Sequence, residues 1–121
     1  MDWKKKWLAK AKEHFKAGEL LYEQSLYRDS IARLYYSAYS LMVAECGEPP
    51  KGRWSHKGII KNFQKRIYEK GIYLSKDIKE HLSDLYERRR LADYEIITIE
   101  KVEVELYIYI VKELMEVVEN G

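Results

Sequence analysis

Residues 99–118 read IEKVEVELYIYIVKELMEVV, and the fold class turns on them. Val102, Val104, Leu106, Ile108 and Ile110 alternate with charged or tyrosine residues, the pattern of a half-buried strand. The same stretch also places Ile99, Val102, Leu106, Ile110, Leu114 and Val117 at spacings of 3, 4, 4, 4 and 3, the pattern of one helix face. Length decides for helix: about 20 residues without Gly, Pro or Asn exceed an ordinary strand, and no other segment offers a partner strand. Val104, Tyr107, Val111, Met115 and Val118 form a second apolar line, so this helix is apolar over more than half its circumference. That excess predicts burial against another chain as well as against its own bundle.

Working back from that helix, the rest of the chain also has helical period. Trp3, Trp7 and Ala11, with Leu8, Phe15 and Tyr22, predict a first helix over about 2–24. Ser25 is the expected N-cap of a second helix, 26–46, whose broad apolar face is Ile31, Leu34, Tyr35, Ala38, Leu41 and Met42. Its other face carries Ser30, Arg33, Ser37, Ser40 and Ala44. Small residues at that spacing let a neighbouring helix come close, so the second helix is expected to be central and covered on both sides. Gly47, Pro49, Pro50 and Gly52 end it. Ser55 is placed to cap a shorter helix, 56–69, with Ile59, Ile60, Phe63 and Ile67 inward, and Gly71 stops it. Ser75, followed by Asp77, opens a fourth helix with the stripe Ile78, Leu82, Leu85, Arg89 and Ala92. The expected fold is all-α: an up-and-down bundle of four long helices and one short one, forming a single domain over 1–121.

Composition sets the outer limits. A chain of 121 residues supports one hydrophobic core, and 22 basic against 20 acidic side chains give no net charge for coating nucleic acid. The charge is nevertheless segregated. Residues 1–16 carry six lysines against Asp2 and Glu13, whereas residues 95–121 carry seven glutamates against Lys101 and Lys112. Cys46 is the only cysteine, which excludes an intrachain disulfide or a cysteine-rich zinc site and suits a reducing cytoplasm. No segment reads as an apolar signal core or a membrane span, so the expectation is a cytoplasmic protein that does not engage a membrane. There is no glycine-rich phosphate loop, no Ser–His–Asp arrangement and no metal-ligand spacing, and hence no expected metal or cofactor.

Arg89 is the residue most in need of explanation. It falls in an apolar stripe, and a guanidinium cannot shed its charge to ease burial. Asp93, four residues on, can accept a charge-assisted hydrogen bond from it. Two readings stand side by side: an ordinary intrahelical ion pair, or a cationic cleft built from Arg88, Arg89 and Arg90 and suited to phosphate.

Several stretches together resemble the HEPN domain family. They are Ala11, His14-Phe15, Ala17 and Leu20-Leu21; Tyr27-Arg28-Asp29-Ser30-Ile31-Ala32-Arg33-Leu34-Tyr35-Tyr36-Ser37-Ala38-Tyr39; Ser55-His56-Lys57-Gly58 with Phe63; and Leu85-Tyr86-Glu87-Arg88-Arg89-Arg90-Leu91-Ala92-Asp93-Tyr94. The resemblance spans nearly the whole chain. It is strongest to small stand-alone prokaryotic members whose fourth helix ends in Arg-x-x-Ala-Asp-Tyr. It implies an all-helical bundle, commonly a homodimer or higher homo-oligomer, often partnered with a minimal nucleotidyltransferase in toxin–antitoxin or defence systems. RNA-cutting members carry Arg, four to six residues and then His. Here Asp93 stands five residues after Arg88, Tyr94 stands five after Arg89, and no histidine follows His81. An aspartate base beside Arg89 would have its pKa lowered, which weakens that role.

The resulting expectation is a module that binds a nucleotide, an RNA segment or a nucleotidyltransferase partner in a cleft formed by Arg88, Arg89, Asp93 and Tyr94 with Arg33, Tyr36 and His56. The alternative is a metal-independent endoribonuclease using Arg89 with Asp93, Tyr94 or His56; a third option is a structural assembly subunit. Tyr35 and Tyr36 serve equally as core residues with bonded hydroxyls, and His56 as a helix-terminal residue. His14 and His81 read as helix-face residues.

Overall fold

The structure is a computed structural model that describes residues 2–94 and 96–121, and all its regular elements are helices. They are α1 (Trp3–Glu23), α2 (Tyr27–Cys46), α3 (His56–Glu69), α4 (Lys76–Tyr94) and α5 (Lys101–Asn120). Segment 101–120 is therefore helical. Its two apolar lines merge into one inward face of Val104, Tyr107, Ile110, Val111, Leu114 and Val118, while Val102, Leu106 and Tyr109 stay exposed.

Caps mark the boundaries. The Asp2 carboxylate accepts from the Lys5 amide at the start of α1, and Ser55 Oγ accepts from Gly58 N at 3.0 Å at the start of α3. Ser75 Oγ accepts from Ile78 N and donates to Glu113 of α5, so one hydroxyl caps α4 and ties it to its neighbour. Ser25 does not cap α2; the residue before that helix is Leu26, which makes no side-chain cap. Ser25 instead lies at φ +62°, with Ser25 N bonded to Tyr22 O and Leu26 N to Leu21 O. That is the left-handed C-terminal stop of α1, so the serine closes one helix and opens none. The same pair of bonds ends α3 at Gly71, where glycine takes the positive φ without strain.

α2 touches all four other helices. Its small-residue face lies against α1: Ser30 Oγ donates to Gly18 O at 2.7 Å, and Ser37 Oγ donates to Ala11 O at 2.8 Å, both buried. A Cβ on Gly18 would meet Leu34 Cδ2 at 3.0 Å, which shows how close the two backbones come. Partners such as Gly18 with Ser30 and Trp3 with Val43 make α1 and α2 antiparallel. Arg28 with Ala92 and Tyr36 with Arg89 do the same for α2 and α4.

Strict alternation breaks once. His56, at the start of α3, meets Tyr35, whereas Arg66 and Lys70, at its end, meet Glu45, so α3 runs parallel to α2. Residues 47–55 must therefore carry the chain back along α2. Tyr39 Oη donates to Trp54 O, and Trp54 Nε1 donates to Gly47 O, each at 2.9 Å, which pins this return path against the helix. At the far end of α2, Glu45 is a buried carboxylate surrounded by Lys4, Arg66 and Lys70, so three elements are fastened at one point. Burial raises its pKa, but hydrogen bonds from Lys70 and Arg66 and the charge of Lys4 outweigh that and hold it below the ordinary carboxylate value. None of the helices is long and apolar enough to cross a membrane.

Candidate functional site: a basic aromatic cleft

The antiparallel packing of α1 on α2 and the return of segment 47–55 leave an open cleft of about 880 Å³ between them, closed at one side by α4. α1 supplies Trp7, Lys10 and His14. α2 supplies Arg33, Tyr35, Tyr36, Tyr39 and Ser40, the return segment Arg53 and Trp54, and α4 Arg89. Among the described residues, four cations and two imidazoles face this space and no carboxylate lines it.

Arg89 sits as its stripe position requires, with its side chain only 17% exposed. Nη2 donates to Tyr36 Oη at 2.7 Å, and the guanidinium lies over the rings of Tyr35 and Tyr36 at 5.6 and 5.2 Å. Nε stands 2.9 Å from Asp93 Oδ2, an ion pair without hydrogen-bond alignment. Both expected roles meet here: the intrahelical pair exists, and the same arginine borders the cleft.

His56 stacks on Tyr86 at 4.2 Å, and its Nδ1 is hydrogen-bonded to the Tyr35 hydroxyl. Burial raises the pKa of that phenol, so it stays protonated and shares one hydrogen bond with Nδ1. Burial, then the charges of Arg89 and Arg53, lower the His56 pKa. His14 has a partner that can only donate. Arg33 Nη1 lies 3.3 Å from its Nδ1, so in the neutral ring Nε2 carries the proton. Its pKa is lowered by burial, then by Arg33 and Lys10. At neutral pH the cleft thus presents cations and N–H donors to whatever enters it.

Of the residues expected to share one site, Arg33, Tyr36, His56 and Arg89 line this cleft; Asp93 supports it through Arg89. Arg88 and Tyr94 do not line it. Arg88 turns to α5 and holds Glu103 through two bonds, Nη2 to Oε1 being 2.9 Å, which raises the arginine's own pKa. Tyr94 is 75% exposed at the end of α4. Arg28 clamps that end, with Nη1 and Nη2 each 2.6 Å from the carbonyls of Ala92 and Ile97. His14, read from the sequence as a helix-face residue, belongs to the cleft, as do Lys10, Arg53 and the two tryptophans. Ligand atoms of Asp77, Glu80 and His81 gather within 4.8 Å on α4, but both acids are exposed and the histidine faces Asp84 at 3.3 Å.

The fold and cleft define the class: an all-α bundle whose fourth helix presents a partly buried Arg–Asp pair to a basic groove. The HEPN domain model matches residues 4–121, and the chain belongs to the HEPN domain family. It is similar to two proteins of Methanocaldococcus jannaschii. One is named "Putative toxin MJ0605", 34% identical over 88 residues, which make up 69% of this chain and 62% of that protein. The other is named "Putative toxin MJ0142", 30% identical over 109 residues, 86% of this chain and 71% of that one. The chain thus spans less than two thirds of the length of the first.

Proposed function

We propose that this protein is a toxin–antitoxin-type HEPN module whose cleft binds a phosphate-bearing nucleoside ligand, either a free nucleotide or a single-stranded RNA segment. The observation that carries this reading is the lining: Lys10, Arg33, Arg53 and Arg89 beside Trp7, Tyr36 and Trp54, with no acid among them. A cleft lined by one sign of charge concentrates anions, and aromatic side chains supply stacking surface for bases. The names of the two relatives support the toxin-type setting. Fluorescence anisotropy with labelled ATP and with an eight-nucleotide single-stranded RNA tests the reading and separates the two ligand sources. Saturable, salt-sensitive binding of either is expected, and no binding of either at low salt contradicts it.

A second reading, metal-independent RNA cleavage, is favoured by one observation: two imidazoles with lowered pKa line the same cleft as Arg89, although no histidine follows Arg89 on its own helix. Against it, Nδ1 of each ring is already hydrogen-bonded in the free protein, to Arg33 in His14 and to the Tyr35 hydroxyl in His56. RNA incubated with EDTA should remain intact; cleavage that is lost in Arg89→Ala would establish the nuclease.

Homodimerisation and a minimal nucleotidyltransferase partner belong to the same proposal. The exposed stripe of Val102, Leu106 and Tyr109 on α5 supports the dimer. Sedimentation at micromolar concentration should give twice the chain mass, and a monomer there would contradict it.

A further inference from the structure

We propose that the phosphate seat of the cleft is formed by Lys10, His14 and Arg33, where α1 crosses α2, and that Arg89 positions the aromatic wall and does not hold phosphate. This rests on reading the cleft as a site for a phosphate-bearing ligand.

The distinction follows from which cations are already paired with a carboxylate. Arg89 faces the Asp93 carboxylate, donates to Tyr36 and covers two tyrosine rings. It has Asp93 as a counter-ion and its position is fixed, so it orients Tyr36, which is itself partly open to the cleft. Lys10 and Arg33 have no carboxylate within ion-pair distance among the described residues, and both are exposed. Two fully charged donors held on adjoining helix faces without a counter-ion are placed for an anion from solution.

The fold brings them together deliberately. Lys10 and His14 are one turn apart on α1, and the buried Ser37–Ala11 bond sets that face beside α2. Arg33 Nη1 then reaches His14 Nδ1, and the His14 ring rests 5.7 Å from the Tyr36 ring. The groups facing His14 are Lys10 and Glu13 from its own helix and Arg33 and Tyr36 from α2; Glu13 is the one acid among them and does not line the cleft. An anion arriving here draws the Arg33 donor to itself and frees Nδ1. It also offsets the charges of Arg33 and Lys10, which add to burial in lowering the His14 pKa, so the ring takes up a proton as the phosphate binds.

Proton uptake gives the seat a signature that simple charge attraction does not reproduce. With the His14 pKa depressed in the free protein and raised in the complex, binding is tightest below the free value and weakens as pH rises through the bound value. One linked proton changes affinity by at most about tenfold per pH unit.

The test uses the whole chain and two probes, inorganic tripolyphosphate and ATP, by calorimetry at pH 6.0 and 7.5. Arg33→Ala and Lys10→Ala, at exposed positions, are expected to weaken both probes by about tenfold or more. Arg89→Ala should leave tripolyphosphate within about threefold and weaken ATP more, because only ATP uses the aromatic wall. His14→Gln should remove most of the gain that wild type shows at pH 6.0, the probe's own titration being common to both proteins. If Arg89→Ala abolishes tripolyphosphate binding while Arg33→Ala and Lys10→Ala do not, the seat is wrongly assigned. If wild type binds neither tripolyphosphate, ATP nor the eight-nucleotide RNA, the cleft reading itself fails and takes the seat with it.

Discussion

Lys4, Arg66 and Lys70 gather around a carboxylate, whereas Lys10, Arg33 and Arg53 gather around none. Both groups flank α2, one at its end and one along its middle. In the first, the Glu45 side chain is 2% exposed, and its hydrogen bonds from Arg66 and Lys70 together with its ion pair to Lys4 join three helices, so the charges hold the fold. In the second, Asp93 is paired with Arg89, and among the described residues no carboxylate lies within ion-pair distance of Lys10, Arg33 or Arg53. Positive charge that the fold has compensated is structural; charge left uncompensated beside aromatic rings is available to a ligand. The likeness of the two clusters in composition and their difference in partners separate stability from binding within one small bundle.

Charge reversal should break that comparison most sharply. Arg33→Glu is expected to weaken ATP or RNA binding by about 10- to 100-fold at low salt, with urea unfolding nearly unchanged, because each charge-assisted bond contributes about 1.5–3 kcal/mol. Glu45→Gln should do the opposite. It is expected to cost about 1–3 kcal/mol in urea unfolding, at the lower end because Arg66 and Lys70 can partly rehydrate, and to leave binding within about twofold.

Acid should then move the two regions in opposite directions. The folded pKa of Glu45 is depressed, so its contribution to stability is full above the unfolded carboxylate value and is lost as pH falls through the folded one. Unfolding midpoints measured from pH 6 to pH 3 should therefore drop, and less in Glu45→Gln. Over pH 7.5 to 6.0, by contrast, ligand affinity should rise.

The smallest effect is expected at Arg88, whose partner Glu103 is a carboxylate on α5. Arg88→Ala should cost no more than about 1 kcal/mol, since the pair is partly solvated, and should not weaken binding. A tenfold loss of affinity there would return Arg88 to the cleft.

Arg88 also shows where sequence reading stops. Helical spacing made the Arg89–Asp93 pair visible, since residues four apart share a face, and it identified Arg89 as the charged member of an apolar stripe. Whether the next arginine turns to the cleft or to α5 depends on Glu103, fifteen positions away on another helix. His14 was legible only as a point on α1, because its membership of the site is created by the close contact of Gly18 and Ala11 with α2. Arg53 and Trp54 belong to a return segment with no periodicity to read, whose path is set by hydrogen bonds among Tyr39, Trp54 and Gly47. Ser25 misled for a related reason: a serine before a helix usually caps it, but here the preceding helix takes it as its left-handed stop. The helices themselves, including the ambiguous 101–120, were legible because length and period are properties of the local chain.

Three tryptophans allow the central claim to be tested directly. Trp7 and Trp54 line the basic cleft, and Trp3 lies beside the Glu45 cluster with its indole N–H bonded to Val43 O. Their indole N–H resonances can be followed in a ¹⁵N-labelled sample titrated with ATP and, separately, with the eight-nucleotide RNA. The account predicts that the Trp7 and Trp54 signals shift in a saturable manner with at least one of these ligands, and by more than the signal of Trp3, whose ring lies 5.8 Å from that of Trp7. A shift confined to Trp3, or no shift in any of the three with either ligand, would contradict it.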